Sequence, residues 1–313
     1  SYAWAPAGGR REGSNMQQIQ WQDRFNIGVE IVDHAHRSLF SIVQKILDLY
    51  LERHENRFAC VEGIKYFKAY ALKHFAEEEA YMREIGYEGY QAHKRLHDRM
   101  RRETLPALER ELYASDFSIE AVQRFIGVCT GWLTGHIMIE DRAITGRTVV
   151  EIPPVQPEDE LSVIRGVILR PLGELFGPGI QYIGKFCDGD MLVDAEYHEQ
   201  VYRVRPGLKL RIILIIGEPL LLRAAGLMLG IEFCGEREII RFALQEITQS
   251  LLQRAAACFG GGQDGCRLER DRFLEPEEYV QAFGAYDHQY SLLFGVKRDC
   301  FALCIDQISE TDG

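Results

Sequence analysis

Nowhere in this chain do apolar residues run for the ~20 positions that a bilayer-spanning helix requires. The opening SYAWAPAGGRREGSN lacks the apolar core of a signal peptide. Residues 1–16 therefore read as a disordered leader or an expression remnant. The eight cysteines are scattered, with no CxxC pair among them. That pattern predicts free thiols in a reducing cytoplasm rather than a disulfide framework. Cys258 and Cys266, which flank a glycine-rich turn, could bridge under oxidising conditions, but plain thiols are the expectation there too. Positive charge is also short. Thirty-six Lys and Arg against 47 Asp and Glu leave a net charge of −11, which excludes a nucleic-acid or anionic-membrane surface. Internal repeats and low-complexity tracts are missing. The glycines of FGGGQDG have no following lysine, so they predict a turn and not a phosphate cradle.

What the chain does have is length and apolar content for two cores: 313 residues, 46% hydrophobic. Helical periodicity runs almost unbroken from about residue 31 to 145. In the first helix Val32, Leu39, Phe40, Ile42, Val43, Ile46 and Leu47 share a broad face. A second helix covers roughly 57–83 and a third roughly 90–113, parted by IGYEGY. A fourth opens on Ser115 or Ser118 as N-cap and runs to about Ile144. Four helices on short connections predict an up-down-up-down bundle. VEIPPVQPEDE then reads as a linker. Beyond it LKLRIILIIG predicts a buried strand, PLLLRAAGLMLG a short helix and EREIIRFALQEITQSLLQRAA a longer one. Tyr279–Ala285, Tyr290–Val296 and Cys300–Asp306 are further strand candidates. The fold class is multi-domain: an all-α four-helix bundle over 17–148, a linker over 149–160, and an α/β domain over 161–313 whose sheet packs against helices.

Five of the nine histidines recur with two carboxylates at spacings that suit metal binding: His36; His74 and Glu78; His93 and His97; His136 and Asp141. Residues four apart project from one helix face. His136 and Asp141 are five apart, so a π-type widening is predicted there, with Glu140 as the helical-spacing competitor. Imidazole and carboxylate together suit iron, zinc or manganese, and seven ligands exceed what one ion can use. Two ions bridged by two carboxylates fit the count. Phe75 and Trp132, one and four residues from ligands, are placed to keep such a pocket dry. His34, His54, His198 and His288 read as surface or hydrogen-bonded core residues, and Glu77 and Glu79 as solvated.

WQDRFNIGVEIVDHAHRSLF, HFAEEEAYM, HKRLH and WLTGHIMIED resemble the signature segments of the hemerythrin family in its bacterial form. The resemblance covers about residues 18–146 and fills every ligand position. Myohemerythrin, a member of that family, is itself a familiar four-helix bundle. The resemblance implies a non-haem di-iron site with an oxo or hydroxo bridge and dioxygen as ligand. His93, His97 and His136 would hold one iron. His36 and His74 would hold the other, leaving it a vacant position, and Glu78 and Asp141 would bridge the pair. Neutral imidazoles with only two anionic side chains would let dioxygen enter without changing the net charge of the buried site.

PLLLRAAGLMLG followed by REIIRFALQEITQSLLQ resembles the CheC/CheX-type chemotaxis phosphatases over about residues 160–308. In that family a helix presents a Glu and an Asn to a phosphorylated response regulator. The corresponding stripe here is Phe242, Glu246, Gln249 and Gln253. Glu246 fits, whereas Gln249 carries its amide on a longer arm. The resemblance thus implies a degenerate module for homodimerisation or docking, with Glu246 and Gln249 as the candidate catalytic pair. The stripe itself is expected to face solvent, with Ile240, Ala243, Leu244, Ile247 and Leu251 on the sheet. Together these readings predict a cytoplasmic oxygen-binding di-iron sensor coupled to a C-terminal interaction domain. A response-regulator receiver domain is the candidate partner. Oxygen storage and a hemerythrin-regulated phosphatase are the alternatives.

Overall fold

The structure, a computed structural model, describes residues 19, 21–51, 57–146, 173, 180–186, 194–229, 237–257, 266–283, 288–296 and 298–308. The leader, the linker, His54, Cys258 and the FGGGQDG segment lie outside these residues. Cys60, Cys129, Cys266, Cys300 and Cys304 are free thiols. No helix among the described residues is long and apolar enough to cross a membrane.

Helix α1 spans Glu30–Leu51 and α2 spans Arg57–Glu84. The broad apolar face of α1 is buried as its periodicity predicts, from Val32 to Leu47. Gly86, at φ +66°, ends α2 in the left-handed region, and the Tyr87 N–H closes the turn on the Met82 carbonyl at 2.9 Å. The third helix is not continuous. It runs as α3 (Tyr90–Arg99), a π-helical turn (Met100–Thr104) and α4 (Leu105–Ala114). Pro106 supplies the reason: in a regular α-helix its ring would meet the carbonyl four residues back, and the wider turn relieves that clash. Ser118 caps α5 (Ile119–His136), its hydroxyl accepting from the Ala121 N–H at 3.3 Å. A second π-turn follows at Ile137–Asp141, where the five-residue spacing predicted one. A last α-helical turn ends at Ile144.

The second half contains a six-stranded antiparallel sheet in the order β1-β5-β6-β3-β2-β4. Its strands are β1 (Ile180–Gly184), β2 (Ala195–Arg205), β3 (Leu208–Gly217), β4 (Arg267–Leu274), β5 (Tyr290–Val296) and β6 (Asp299–Ile308). Helices α6 (Glu218–Leu229) and α7 (Arg237–Ala257) cover one face. Leu210, Ile212, Leu214 and Ile216 of β3 point into that layer, while Ile213 and Ile215 join Tyr279 and Phe283 on the other face. Burial on both faces explains why LKLRIILIIG is apolar without alternation. Tyr279–Ala285, expected as a strand, instead falls largely in helix α8 (Pro276–Phe283). Pro276 suits a first helical turn, and the Glu278 carboxylate accepts from the Glu275 N–H at 3.0 Å in capping-box fashion. These start signals outweigh the aromatic and β-branched residues behind them.

One apolar cluster runs unbroken from the bundle through α7 to the sheet. The join is α5 against α7. Gly127, Gly131 and Gly135 present a bare backbone strip, since a Cβ on Gly127 would lie 2.6 Å from the Ile239 carbonyl oxygen and one on Gly131 2.6 Å from Ala243 Cα. This corrects the expected orientation of α7, because Ala243 and Ile247 face the bundle. Leu251's side chain lies outside the described residues. The Phe242–Glu246–Gln249 stripe is likewise turned to the bundle rather than to open solvent. Arg124 sits 5.3 Å over the Phe242 ring. With its amide oriented by its neighbours, Gln249 accepts from both terminal nitrogens of Arg99, at 2.8 and 2.5 Å. Burial pushes the Glu246 carboxyl up to about 7, against the opposing pull of Arg99 and Arg124.

Two outcomes follow. Gly131→Ala should cost ~1–3 kcal/mol of unfolding free energy by overpacking. Gly135→Ala, whose added carbon meets nothing nearer than 3.5 Å, should be neutral or stabilising by up to ~1 kcal/mol through helix propensity; denaturant titration of the two variants distinguishes them. For Glu246, a raised carboxyl pKa makes its contribution complete below the unfolded value of 4.5 and lost as pH rises through about 7. Glu246→Gln should therefore gain stability over the parent on the alkaline side of that window, and the gain should vanish below it.

Candidate metal centre

The bundle turns seven buried donors to one interior point. His36 comes from α1, His74 and Glu78 from α2, His93 and His97 from α3, His136 from the end of α5 and Asp141 from the π-turn after it; all seven are buried. The i, i+4 pairs do what helical geometry requires of them. The π-turn carries Asp141 onto the imidazoles, while Glu140 remains half-buried beside them.

The nitrogens fall into two sets. His93, His97 and His136 hold their Nε2 atoms 3.0 to 3.2 Å from one another. No placement of protons satisfies a triangle of imidazole nitrogens pointing at a common centre. A cation does: metal–nitrogen bonds of about 2.1 Å at right angles set neighbouring nitrogens about 3.0 Å apart. His36 and His74 form the second set, their Nε2 atoms 3.1 Å apart. The carboxylates lie between the sets. Asp141 places Oδ1 at 3.1 Å from His136 Nε2 and 3.3 Å from His93 Nε2, and Oδ2 at 3.2 Å from His36 Nε2. Glu78 Oε2 is 3.3 Å from His97 Nε2 and 3.7 Å from both His93 and His74. None of the four carboxylate oxygens makes a hydrogen bond of ordinary geometry. Buried anionic oxygens without donors are costly. The residues present thus fit a metal site, and Glu78 belongs to both clusters of donors close enough to share an ion.

Protonation points the same way. Burial drives the His36 imidazole down to about 4 and His74 to about 3, and lowers His136 well below its ordinary range. Neutral imidazole is the form that ligates. Burial would lower His93 as well, but the Glu78 carboxylate 3.7 Å away and the Asp141 and Glu140 charges raise it to about 9.

Aromatic rings wall the centre. Trp132 stacks on His136 with centroids 4.2 Å apart, and Phe75 stacks on His97 at 4.4 Å. Both rings therefore touch the donor imidazoles directly, more than dryness alone would require. On the His36 side, Trp21 and Phe25 pack on Phe40, with Trp21 6.2 Å from the His36 ring. The segment bearing them is pinned by the Asp33 carboxylate, which accepts from the Ile27 and Gly28 N–H groups at 2.7 and 3.0 Å. Arg142, just after the π-turn, donates to the Arg24 carbonyl at 2.7 Å.

Glu79 departs from its expected solvated position. It is buried, with Oε1 3.2 Å from His97 Nδ1 and in contact with Arg101. Burial alone would raise its carboxyl, but the bond to His97 and the Arg101 charge hold it below the usual range. A carboxylate on the far nitrogen fixes ring orientation and raises ligand basicity. Arg101, four residues beyond His97, was the available sequence signal. Glu77 stays half-buried with Lys73 at 3.6 Å. His34 is exposed. His198 bonds Asp271 at 2.5 Å and Thr248 at 2.9 Å, and His288 bonds Asp306 at 2.8 Å, as hydrogen-bonded core residues do. Glu246 and Gln249 stand outside the metal centre, in the α7 contact.

Residues 27–147 match the family model described as Hemerythrin HHE cation binding domain. A bacteriohemerythrin of Clostridium acetobutylicum is 31% identical over 128 residues, covering 39% of this chain and 95% of that protein. One from Stenotrophomonas maltophilia is 29% identical over 163 residues, 52% of this chain and all of that protein. One from Pseudomonas aeruginosa is 29% identical over 126 residues, 40% of this chain and 78% of that protein. Among solved structures, chemotaxis protein CheX from Vibrio vulnificus aligns with 48% of this chain and 99% of its own at 12% identity, with a TM-score of 0.36. The match to nearly the whole length of a bacteriohemerythrin, over the stretch whose helices bring these donors together, shows that the chain belongs to the hemerythrin family.

Proposed function

We propose that this protein is a dioxygen-responsive di-iron sensor, with residues 17–148 as the binding body and 161–313 as the output body. The observation that carries the reading is the split of the donors into three imidazoles and two, with a carboxylate on each side of the gap. His93, His97 and His136 would hold one iron and His36 and His74 the other, with Glu78 and Asp141 as the carboxylates shared between them. Ferrous iron bound there would supply the electrons for reversible dioxygen binding. The side chains do the rest. Fewer donors at His36 and His74 leave that end open to a small ligand. Trp21, Phe25 and Phe40 keep water from it, and Glu79 holds the His97 ring in its ligating tautomer through Nδ1. An α/β body joined to an oxygen site supports signalling over storage, since a carrier has no use for it. The sequence resemblance to the CheC/CheX family supports a protein partner in chemotaxis-type signalling, with a receiver domain as the first candidate.

Iron quantitation and an absorption spectrum test this directly. Purified protein should carry roughly two irons per chain, the number seven donors can satisfy. Oxo-to-ferric bands should bleach on reduction and a distinct spectrum should return with dioxygen. Zinc, or a single iron, would overturn the assignment. Stripping the metal should lower the melting temperature, because the donors are then buried without a partner. A second test concerns Glu79: Glu79→Ala should weaken retention of iron against a chelator by ~10–100-fold while leaving the fold intact. Retention equal to the parent's would show that the His97 contact does not tune the site.

A further inference from the structure

We infer that the α5–α7 contact is the transmission element of the sensor: the helices carrying His93, His97 and His136 hold α7 directly, so that a change at the metal centre uncovers or secures the Glu246–Gln249 face. The inference rests on the di-iron reading above and adds the route by which the two bodies communicate.

Three independent observations converge on it. The first is the Trp132 ring. It stacks on His136 with an interplanar angle of 14° and also lines the cleft that contains Glu246 and Gln249. In a close-packed interior His136 cannot reorient without displacing the ring on it, and that ring cannot move without changing the cleft. The second is the nature of the join. Side chains between two helices absorb small displacements by changing rotamer. Gly127 and Gly131 leave no side chain to do so, and the α5 strip lies on the backbone of Ile239 and Ala243. A shift of the α5 axis therefore passes to α7 undamped.

The third is the placement of the π-turns. Met100–Thr104 follows α3 just after Arg99, the residue that binds Gln249; Ile137–Asp141 follows α5 just after His136. Both π-turns among the described residues thus sit on the helices that touch α7. Such turns are where a helix changes register at least cost, and they are frequent at functional sites. The route does not depend on residues 149–160, which join the two bodies in sequence. It runs sideways through the packed helices.

In this arrangement Gln249 is buried against Arg99 and Glu246 lies half-buried in the cleft beside Trp132, so a partner approaching this face of α7 meets the bundle first while α7 stays seated. The bundle is thereby an autoinhibitory cover, and the centre controls how firmly it is held.

Hydrogen exchange of the full-length, iron-loaded protein tests this. Amides of residues 237–257 should differ in exchange rate by ~5-fold or more between the reduced anaerobic and the air-exposed states, the range expected of an allosteric coupling. Gly131→Ala, which forces the helices apart, should abolish that difference while iron content and absorption stay those of the parent. Arg99→Ala, which removes the bonds to Gln249 without adding atoms, should raise α7 exchange in both states. Equal exchange of α7 in the two states of a fully iron-loaded parent would overturn the inference and leave the di-iron reading standing. Failure to load iron would remove both.

Discussion

A cluster of five imidazoles and two carboxylates, buried and aimed at one another, is the constraint on which the bundle depends. Without a cation it has no satisfactory state. The carboxylate oxygens lack donors, the His36, His74 and His136 imidazoles are pushed towards neutrality by burial, and His93 is raised by the Glu78 carboxylate and its neighbouring charges. Each feature is unfavourable for a bare fold and favourable for a site that receives metal. The apolar faces of α1 and α5 supply the compensating burial. Glu79, Phe75 and Trp132 then fix rings that the ligand geometry alone would leave free to rotate about their Cβ–Cγ bonds.

The same demand shapes the backbone. Regular α-helix spacing delivers His74 with Glu78 and His93 with His97, but it cannot bring both His136 and Asp141 to one point. The extra residue in the π-turn resolves this, at the expense of regular hydrogen bonding over Ile137–Asp141. Arg142 then ties that turn to the segment bearing Trp21 and Phe25. The end of α5 is thereby joined to the aromatic lid on the opposite half of the centre.

How much of this was legible beforehand depended on whether the information was local. The i, i+4 pairs, the five-residue step to Asp141 and the N-cap at Ser118 are properties of a single helix, and each could be read from spacing. Strands β2 and β4 could not. β2 buries His198, Glu199 and Gln200, which pattern reading counts as polar. β4, RLERDRFL, is an edge strand whose charges hide its period. The region after Leu274 was misread because Tyr279, Val280 and Phe283 suggest a strand, although Pro276 and Glu278 mark a helix start. Glu79 and the polar stripe of α7 failed for a common reason. Helical phase says which residues share a face but not what lies opposite, and a face read as solvent-bound can meet a second helix instead. Only the partner, Arg101 for Glu79 and the bundle for α7, decides.

The glycines of α5 show what that partner costs. Gly in a helix interior is worth roughly 1 kcal/mol less than Ala, and α5 carries three on one face. Propensity alone would replace them, and at Gly135 it could, since no neighbouring atom forbids a methyl. At Gly127 and Gly131 the α7 backbone occupies the space a side chain would need. The helix therefore gives up local stability for a close approach between the element bearing His136 and the element bearing Glu246. A merely cohesive interface would gain more from interlocking side chains, which bury more apolar surface. Bare backbone contact serves rigidity across the join, the property that the proposed transmission between the two bodies requires.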